Sequence, residues 1–240
     1  YNNILKVIQF LISSNIGEIV VLFLSILITP WLSAKFNIDI SLIEIFLVTQ
    51  LLWINLVTDS LPALALSVDP ADSDVMNKQP NRANGIFTKG MTWRIIYQGL
   101  TIGIVTLIAF ICGLASSDST IMSIQSKYPQ LSIPELKVEI GQTMAFIVIA
   151  FSELVHVFNI RNNNKSIFKT GIGGNKWLFI ANGVASVLML IVLLIPGLQQ
   201  LFGIIMLPID KLVECIILIF IPVIIVEIMK LLKINTSKDE

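Results

Sequence analysis

Hydrophobic positions run in six long stretches, separated by short clusters of polar, glycine and proline residues. The stretches fall near 9–30, 43–66, 92–114, 141–161, 177–198 and 209–232, and the pattern of the first continues back to Tyr1. A helix rises about 1.5 Å per residue, so about 20 apolar residues cross a hydrocarbon core. The pattern therefore predicts an all-α fold, an integral membrane bundle of six transmembrane helices. Pro30, Pro62, Pro196, Pro208 and Pro222 mark helix ends or kinks. No internal repeat or low-complexity tract interrupts the series, and residues 1–240 read as one bundle.

Basic residues orient it. Lys78, Arg82, Lys89 and Arg94 crowd the second connector, Arg161, Lys165, Lys169 and Lys176 the fourth, and Lys230, Lys233 and Lys238 the tail. The remaining connectors carry few or none. The positive-inside rule then puts both termini in the cytoplasm, and six alternating spans agree with that assignment. Only 13% of the 240 residues are charged and 55% are hydrophobic, against about 25% charged in soluble domains. A formal net charge of zero argues against a nucleic-acid partner; the partner is the lipid bilayer. Cys112 and Cys215 lie within apolar runs and read as small buried residues rather than a disulfide framework. The first residue is Tyr, no targeting peptide is evident, and the sequence reads as a piece of something longer.

Three polar residues break the second stretch: Asn55, Thr58 and Asp59. A carboxylate at bilayer depth costs about 2.5–3.5 kcal/mol on insertion scales, so it is rare unless it serves an ion path. The i, i+3, i+4 spacing puts the three on one helix face. Pro62 lacks the N–H that would bond the Thr58 carbonyl, which frees a further oxygen beside Asp59. In the first helix Asn15 and Glu18 share a face, with Gly17 between them to admit a neighbouring helix. In the fourth, Ser152, Glu153, His156 and Asn159 interrupt an apolar run. His156 admits a proton-relay or zinc role, yet a lone histidine near a basic helix end is more often a packing residue. Glu153 can pair with it or face the bundle interior. Gln98 and Asn182 read as interhelical glue, and Glu214 and Glu227 as partners of Lys211 and Lys230.

Carboxylates from Glu18, Asp59 and Glu153, amides from Asn15 and Asn55 and the Thr58 hydroxyl make an oxygen-rich set for a hard cation. Calcium takes 6–8 oxygens at about 2.3–2.6 Å; magnesium keeps its water and resists an all-protein cage. Three carboxyls in a low-dielectric space repel one another when empty, so exchange of protons for a divalent cation follows.

At these residues the chain resembles the C-terminal membrane half of a P-type ATPase, most closely the sarco/endoplasmic-reticulum type of calcium pump and its bacterial relatives. The resemblance rests on Leu51-LWINLVTDSLPALAL-Ser67, continued by Asp69-Pro70-Ala71-Asp72 and Met76-Asn77-Lys78-Gln79-Pro80, and on Leu11-ISSNIGE-Ile19. It implies that residues 1–240 correspond to the family's fifth to tenth helices. Asn15 and Glu18 look like the fifth-helix ligands, Asn55, Thr58 and Asp59 like the sixth-helix set, and Glu153 like the eighth-helix ligand. The counterpart of Asp59 bridges two calcium sites, the second of which also needs the family's fourth helix. Ser60 stands where many eukaryotic members have Gly, and sodium/potassium pumps have Asp in place of Asn55. The connector from Val68 to Lys89 resembles the loop that touches the phosphorylation domain; its composition alone equally fits a solvated connector.

The resemblance implies the cation-binding part of an ATP-driven pump that exports Ca2+ from the cytoplasm with proton counter-transport. ATP and Mg2+ belong to the parent protein only, since neither the Asp-Lys-Thr-Gly-Thr phosphorylation motif nor a Walker-type loop occurs here. No catalytic residue is assigned; the parent is a translocase, and its N-terminal half is the partner. Richness in Ile, Asn and Lys fits a bacterial origin, for which the membrane is the plasma membrane. Competing readings are a P-type pump for Mn2+ or Na+/K+, a secondary cation/proton exchanger, and a bundle whose polar residues only glue helices.

Overall fold

The computed structural model describes residues 2–70, 89–161 and 174–232. Most of the Val68–Lys89 connector, most of the loop after Arg161 and the tail from 233 lie outside the described residues. Among the described residues every regular element is helical. α1 is Asn2–Phe36, followed by a 3-10 turn at Ile40–Leu42. α2 (Val48–Trp53), a π-helical turn (Ile54–Asp59) and α3 (Ser60–Ser67) run on without a break. Then come α4 (Lys89–Leu114), α5 (Asp118–Gln125), α6 (Ile133–Ile160), α7 (Lys176–Leu194), α8 (Pro196–Phe202) and α9 (Ile209–Leu231).

Five of these, α1, α4, α6, α7 and α9, are single helices long and apolar enough to cross a membrane. The α2–π–α3 run occupies the remaining predicted stretch. Apolar side chains point outward as well as inward: Phe23, Leu27 and Trp31 on α1 and Ile216, Phe220 and Ile224 on α9 are exposed. A surface of that kind suits lipid, where backbone groups must be satisfied within each helix. The chain is an integral, multi-pass membrane protein.

α6 is the central helix. From Ile140 to Ala150 every residue is buried, and the two polar ones are satisfied, Gln142 Nε2 by the Glu44 carbonyl and Thr143 Oγ1 by the Glu139 carbonyl, each at 2.7 Å. Close contacts at bare backbone bring its neighbours in. A Cβ on Gly99 of α4 would stand 2.6 Å from the Ile16 side chain and 2.7 Å from the Ser13 carbonyl of α1. A Cβ on Gly113 would fall on the Gly141 backbone of α6. These glycines let α4 lie directly against both α1 and α6.

Helix ends differ from the sequence pattern where local hydrogen bonding intervenes. α1 continues past Pro30 to Phe36, with Thr29 Oγ1 donating to the Ser25 carbonyl at 2.7 Å just before the proline. Such back-bonding is how membrane helices tolerate proline. α6 starts at Ile133, where Glu135 accepts from the Ser132 amide at 2.8 Å in a capping box. Pro196 opens the short α8 and Pro208 caps α9, whereas Pro222 lies inside α9. Before α2, the Ser41 amide and hydroxyl hold the Asp39 carboxyl below the usual carboxylate range.

The structural polar pairs form as the spacing suggests. Lys211 Nζ meets Glu214 at 2.9 Å and Lys230 Nζ meets Glu227 at 2.9 Å. Gln98 pairs with Gln9 at 3.0 Å, and Asn182 donates to the Leu154 carbonyl at 2.6 Å. Both cysteines are free thiols, Cys215 buried and Cys112 half-buried.

Candidate cation site

The π turn is written by its own side chains. Asn55 Nδ2 donates to the Leu51 carbonyl at 3.0 Å, Thr58 Oγ1 to the Ile54 carbonyl at 2.8 Å, and Ser60 Oγ to the Asn55 carbonyl at 2.9 Å. Pro62 follows with no N–H to return. Polar side chains thus satisfy carbonyls that a regular α ladder would have used. The helix widens for one turn instead of ending, a device common at functional sites.

That turn carries Thr58 and Asp59 into the bundle interior. Glu18 of α1, Asp59 and Glu153 of α6 are all buried, and each offers a carboxylate oxygen within 4.8 Å of the others. Three separate elements converge here. Ser14 of α1 joins them: its hydroxyl lies 2.8 Å from Asp59 Oδ1 and also contacts Glu153 Oε1. Thr58 Oγ1 reaches Glu153 Oε2 at 3.3 Å, and Asn55 Nδ2 reaches the two Glu18 oxygens at 2.9 and 3.0 Å. Asp59 Oδ2 is buried and has no hydrogen-bond partner.

The arrangement calls for positive charge. Among the described residues no lysine or arginine forms an ion pair with Glu18, Asp59 or Glu153. A buried carboxylate without a partner is costly, and three within 4.8 Å compound the repulsion. Protons or a cation must balance them. The donor set is all oxygen, with one Asp59 oxygen uncommitted, which is the chemistry of a hard divalent ion. For Asn55 to present oxygen rather than nitrogen, its amide must turn over and release Glu18.

Asn15 stands apart. Its side chain is exposed and its Nδ2 donates to the Leu11 carbonyl at 2.8 Å. His156 is fully buried and neither ring nitrogen has a hydrogen-bond partner, so no Glu153–His156 pair forms. Ser14, not singled out by the sequence reading, touches two of the three carboxyls, Asp59 and Glu153. Its only advance signal is the i, i+4 spacing to Glu18.

Comparison with known proteins gives the family. The sequence model of the family described as "Cation transporting ATPase, C-terminus" matches residues 43–232. A calcium-transporting ATPase of Bacillus cereus is 40% identical over 237 residues, which is 98% of this chain and 25% of that protein. A calcium-transporting ATPase of Bacillus subtilis is 32% identical over 203 residues, 84% of this chain and 19% of its own length. An endoplasmic reticulum calcium ATPase of Aspergillus fumigatus is 29% identical over 218 residues, 85% of this chain and 21% of its own. The chain thus spans a quarter or less of each of these relatives. Matched through its membrane helices from the second predicted span onward, the chain belongs to the cation transporting ATPase C-terminal family.

Proposed function

We propose that residues 1–240 are the ion-binding membrane domain of an ATP-driven P-type pump that moves Ca2+ out of the cytoplasm and carries protons back. The observation behind this reading is the convergence of Glu18, Asp59 and Glu153 from three helices onto one buried point. Glu18, Asp59 and Glu153 supply carboxylate ligands, and Thr58 and Asn55 supply further oxygens. Asn15 completes the set after rotating inward from its exposed position. The choice of calcium is supported by the likeness to calcium-transporting ATPases and by the oxygen-only donor set. Proton counter-transport follows from charge: when the ion leaves, the same carboxyls take up protons instead of standing bare.

Hydrolysis of ATP with Mg2+ belongs to the rest of the pump, which is this domain's partner. With both termini cytoplasmic, the Val68–Lys89 connector and the loop after Arg161 face the same compartment as the ATP chemistry. In a bacterium the membrane crossed is the plasma membrane.

The test is ATP-driven 45Ca uptake by inside-out vesicles holding the full-length pump, with internal pH followed in parallel. Uptake coupled to internal alkalinisation is the expected result. ATP-driven movement of another cation keeps the pump and removes calcium, while transport that runs on a proton gradient without ATP supports an exchanger instead.

A further inference from the structure

Ten residues beyond Asp59, Asp69 gathers partners from three other helices. Its Oδ2 is 2.7 Å from Lys6 Nζ of α1, and its Oδ1 is 3.0 Å from Arg161 Nε, just past the end of α6. Oδ1 also accepts from Asn175 Nδ2, the N-cap of α7, at 3.0 Å. Asn3 of α1 donates to the Asp69 carbonyl at 2.7 Å and to the Ser67 carbonyl at 3.2 Å. The Asp69 side chain is nearly enclosed, and Lys6 and Arg161 are themselves mostly covered. Gly174 makes room for this cluster, since a Cβ there would stand 2.6 Å from the Arg161 guanidinium.

Lys6 and Arg161 come from the helices that carry Glu18 and Glu153, and Asp69 follows the one that carries Asp59; Asn175 adds α7. Lys6 lies twelve residues before Glu18, Asp69 ten after Asp59, and Arg161 eight after Glu153. At about 1.5 Å per residue the cluster sits about 12–18 Å from the carboxyls along the helices. Offsets of about two to three turns on three helices, joined by one carboxylate, make a brace on one side of the site.

We infer that Asp69 is a positioning residue: by holding Lys6, Arg161 and Asn175 it fixes the relative height and rotation of α1, α3 and α6, and thereby the spacing of Glu18, Asp59 and Glu153. The inference rests on the cation-site reading above. Asp69 touches none of the three carboxyls, so it acts on the ion only through the helices. Because Lys6 and Arg161 share a single carboxylate, their contributions are coupled rather than independent.

The experiment is equilibrium 45Ca binding to the full-length pump, separating half-saturating calcium from the maximal amount bound. Asp69→Asn is expected to raise half-saturating calcium about tenfold at unchanged maximum, the scale on which residues behind metal ligands act. Asp69→Glu, which keeps the charge, returns it to within about threefold of wild type, and Lys6→Gln and Arg161→Gln each give a smaller rise than Asp69→Asn. The double variant falls short of the product of the singles. Unchanged half-saturation in Asp69→Asn overturns the inference, as does a reduced maximum at unchanged half-saturation, which is what loss of folded protein alone produces. Should Asp69→Asn not fold, wild-type half-saturation in both single cation variants overturns it equally. A wild-type pump that binds no calcium contradicts the site reading itself, and is told apart because it precedes any substitution.

Discussion

Asn55 Nδ2 donates to both oxygens of Glu18, at 2.9 and 3.0 Å, and so ties the π turn to α1. Hydrogen bonds to a charged group contribute about 1.5–3 kcal/mol. Asn55→Ala removes both the amide that holds Glu18 in the empty site and the oxygen that replaces it on the ion, and with the ligand lost calcium affinity is expected to fall at least about tenfold by equilibrium binding. Asn55→Asp sets a fourth carboxyl against Glu18 and is expected to be worse. Wild-type affinity in either variant would mean that Asn55 does not shape the site.

Ser14 bridges Asp59 and Glu153. A hydroxyl carries one hydrogen and donates to one acceptor at a time. The second contact therefore needs a proton on a carboxyl, or is replaced when a cation arrives. Ser14→Ala is expected to weaken calcium binding about tenfold, in line with about 1–3 kcal/mol for a buried polar group left unpaired. Ser13→Ala serves as the comparison, because the Ser13 hydroxyl only back-bonds to the Phe10 carbonyl; it is expected to bind as wild type.

The glycine contacts make a prediction about folding alone. Gly99→Ala forces apart α1 and α4 and is expected to cost about 1–3 kcal/mol, visible as a lower melting temperature in detergent. Gly183 of α7 has nothing within 4 Å of a Cβ. There alanine is expected to be neutral or to stabilise by up to about 1 kcal/mol through helix propensity. Equal behaviour at the two positions would contradict the packing described.

Acidification opposes the ion. Calcium must displace any protons held by Glu18, Asp59 and Glu153, so binding releases protons and weakens as pH falls. If one proton leaves per ion, half-saturating calcium rises about tenfold per pH unit in the acid range. Binding that is flat with pH would remove proton exchange from the mechanism.

Much of the membrane fold was legible because apolar stretches of spanning length leave few alternatives. Asp59 and Glu153 were legible for the complementary reason, as carboxyls within such stretches. Ser14 was not, since a serine in a membrane helix ordinarily back-bonds, as Ser13 and Ser25 do here. Only the approach of α1 to Asp59 and Glu153 distinguishes it. The i, i+3 spacing put Asn15 and Glu18 on one broad face. At about 100° per residue, Asn15 and Ser14 flank Glu18 on opposite sides, and the bundle takes in the Ser14 side while Asn15 faces out. Pro62 signalled a helix end or kink, but the side chains of Asn55, Thr58 and Ser60 satisfy the Leu51, Ile54 and Asn55 carbonyls, and the helix widens and runs on instead. Asp69 lay in a polar connector, where nothing local shows that Lys6, Arg161 and Asn175 converge on it.

The most direct test of the three-carboxyl site is cation-dependent phosphoenzyme formation from ATP by the full-length pump, with wild type and Asp59→Asn compared under calcium, manganese, sodium and potassium. Wild type is expected to form a phosphoenzyme that requires calcium, and folded Asp59→Asn to form none. A phosphoenzyme that forms equally well in Asp59→Asn, or that needs no cation, would mean that the three carboxyls do not hold the transported ion.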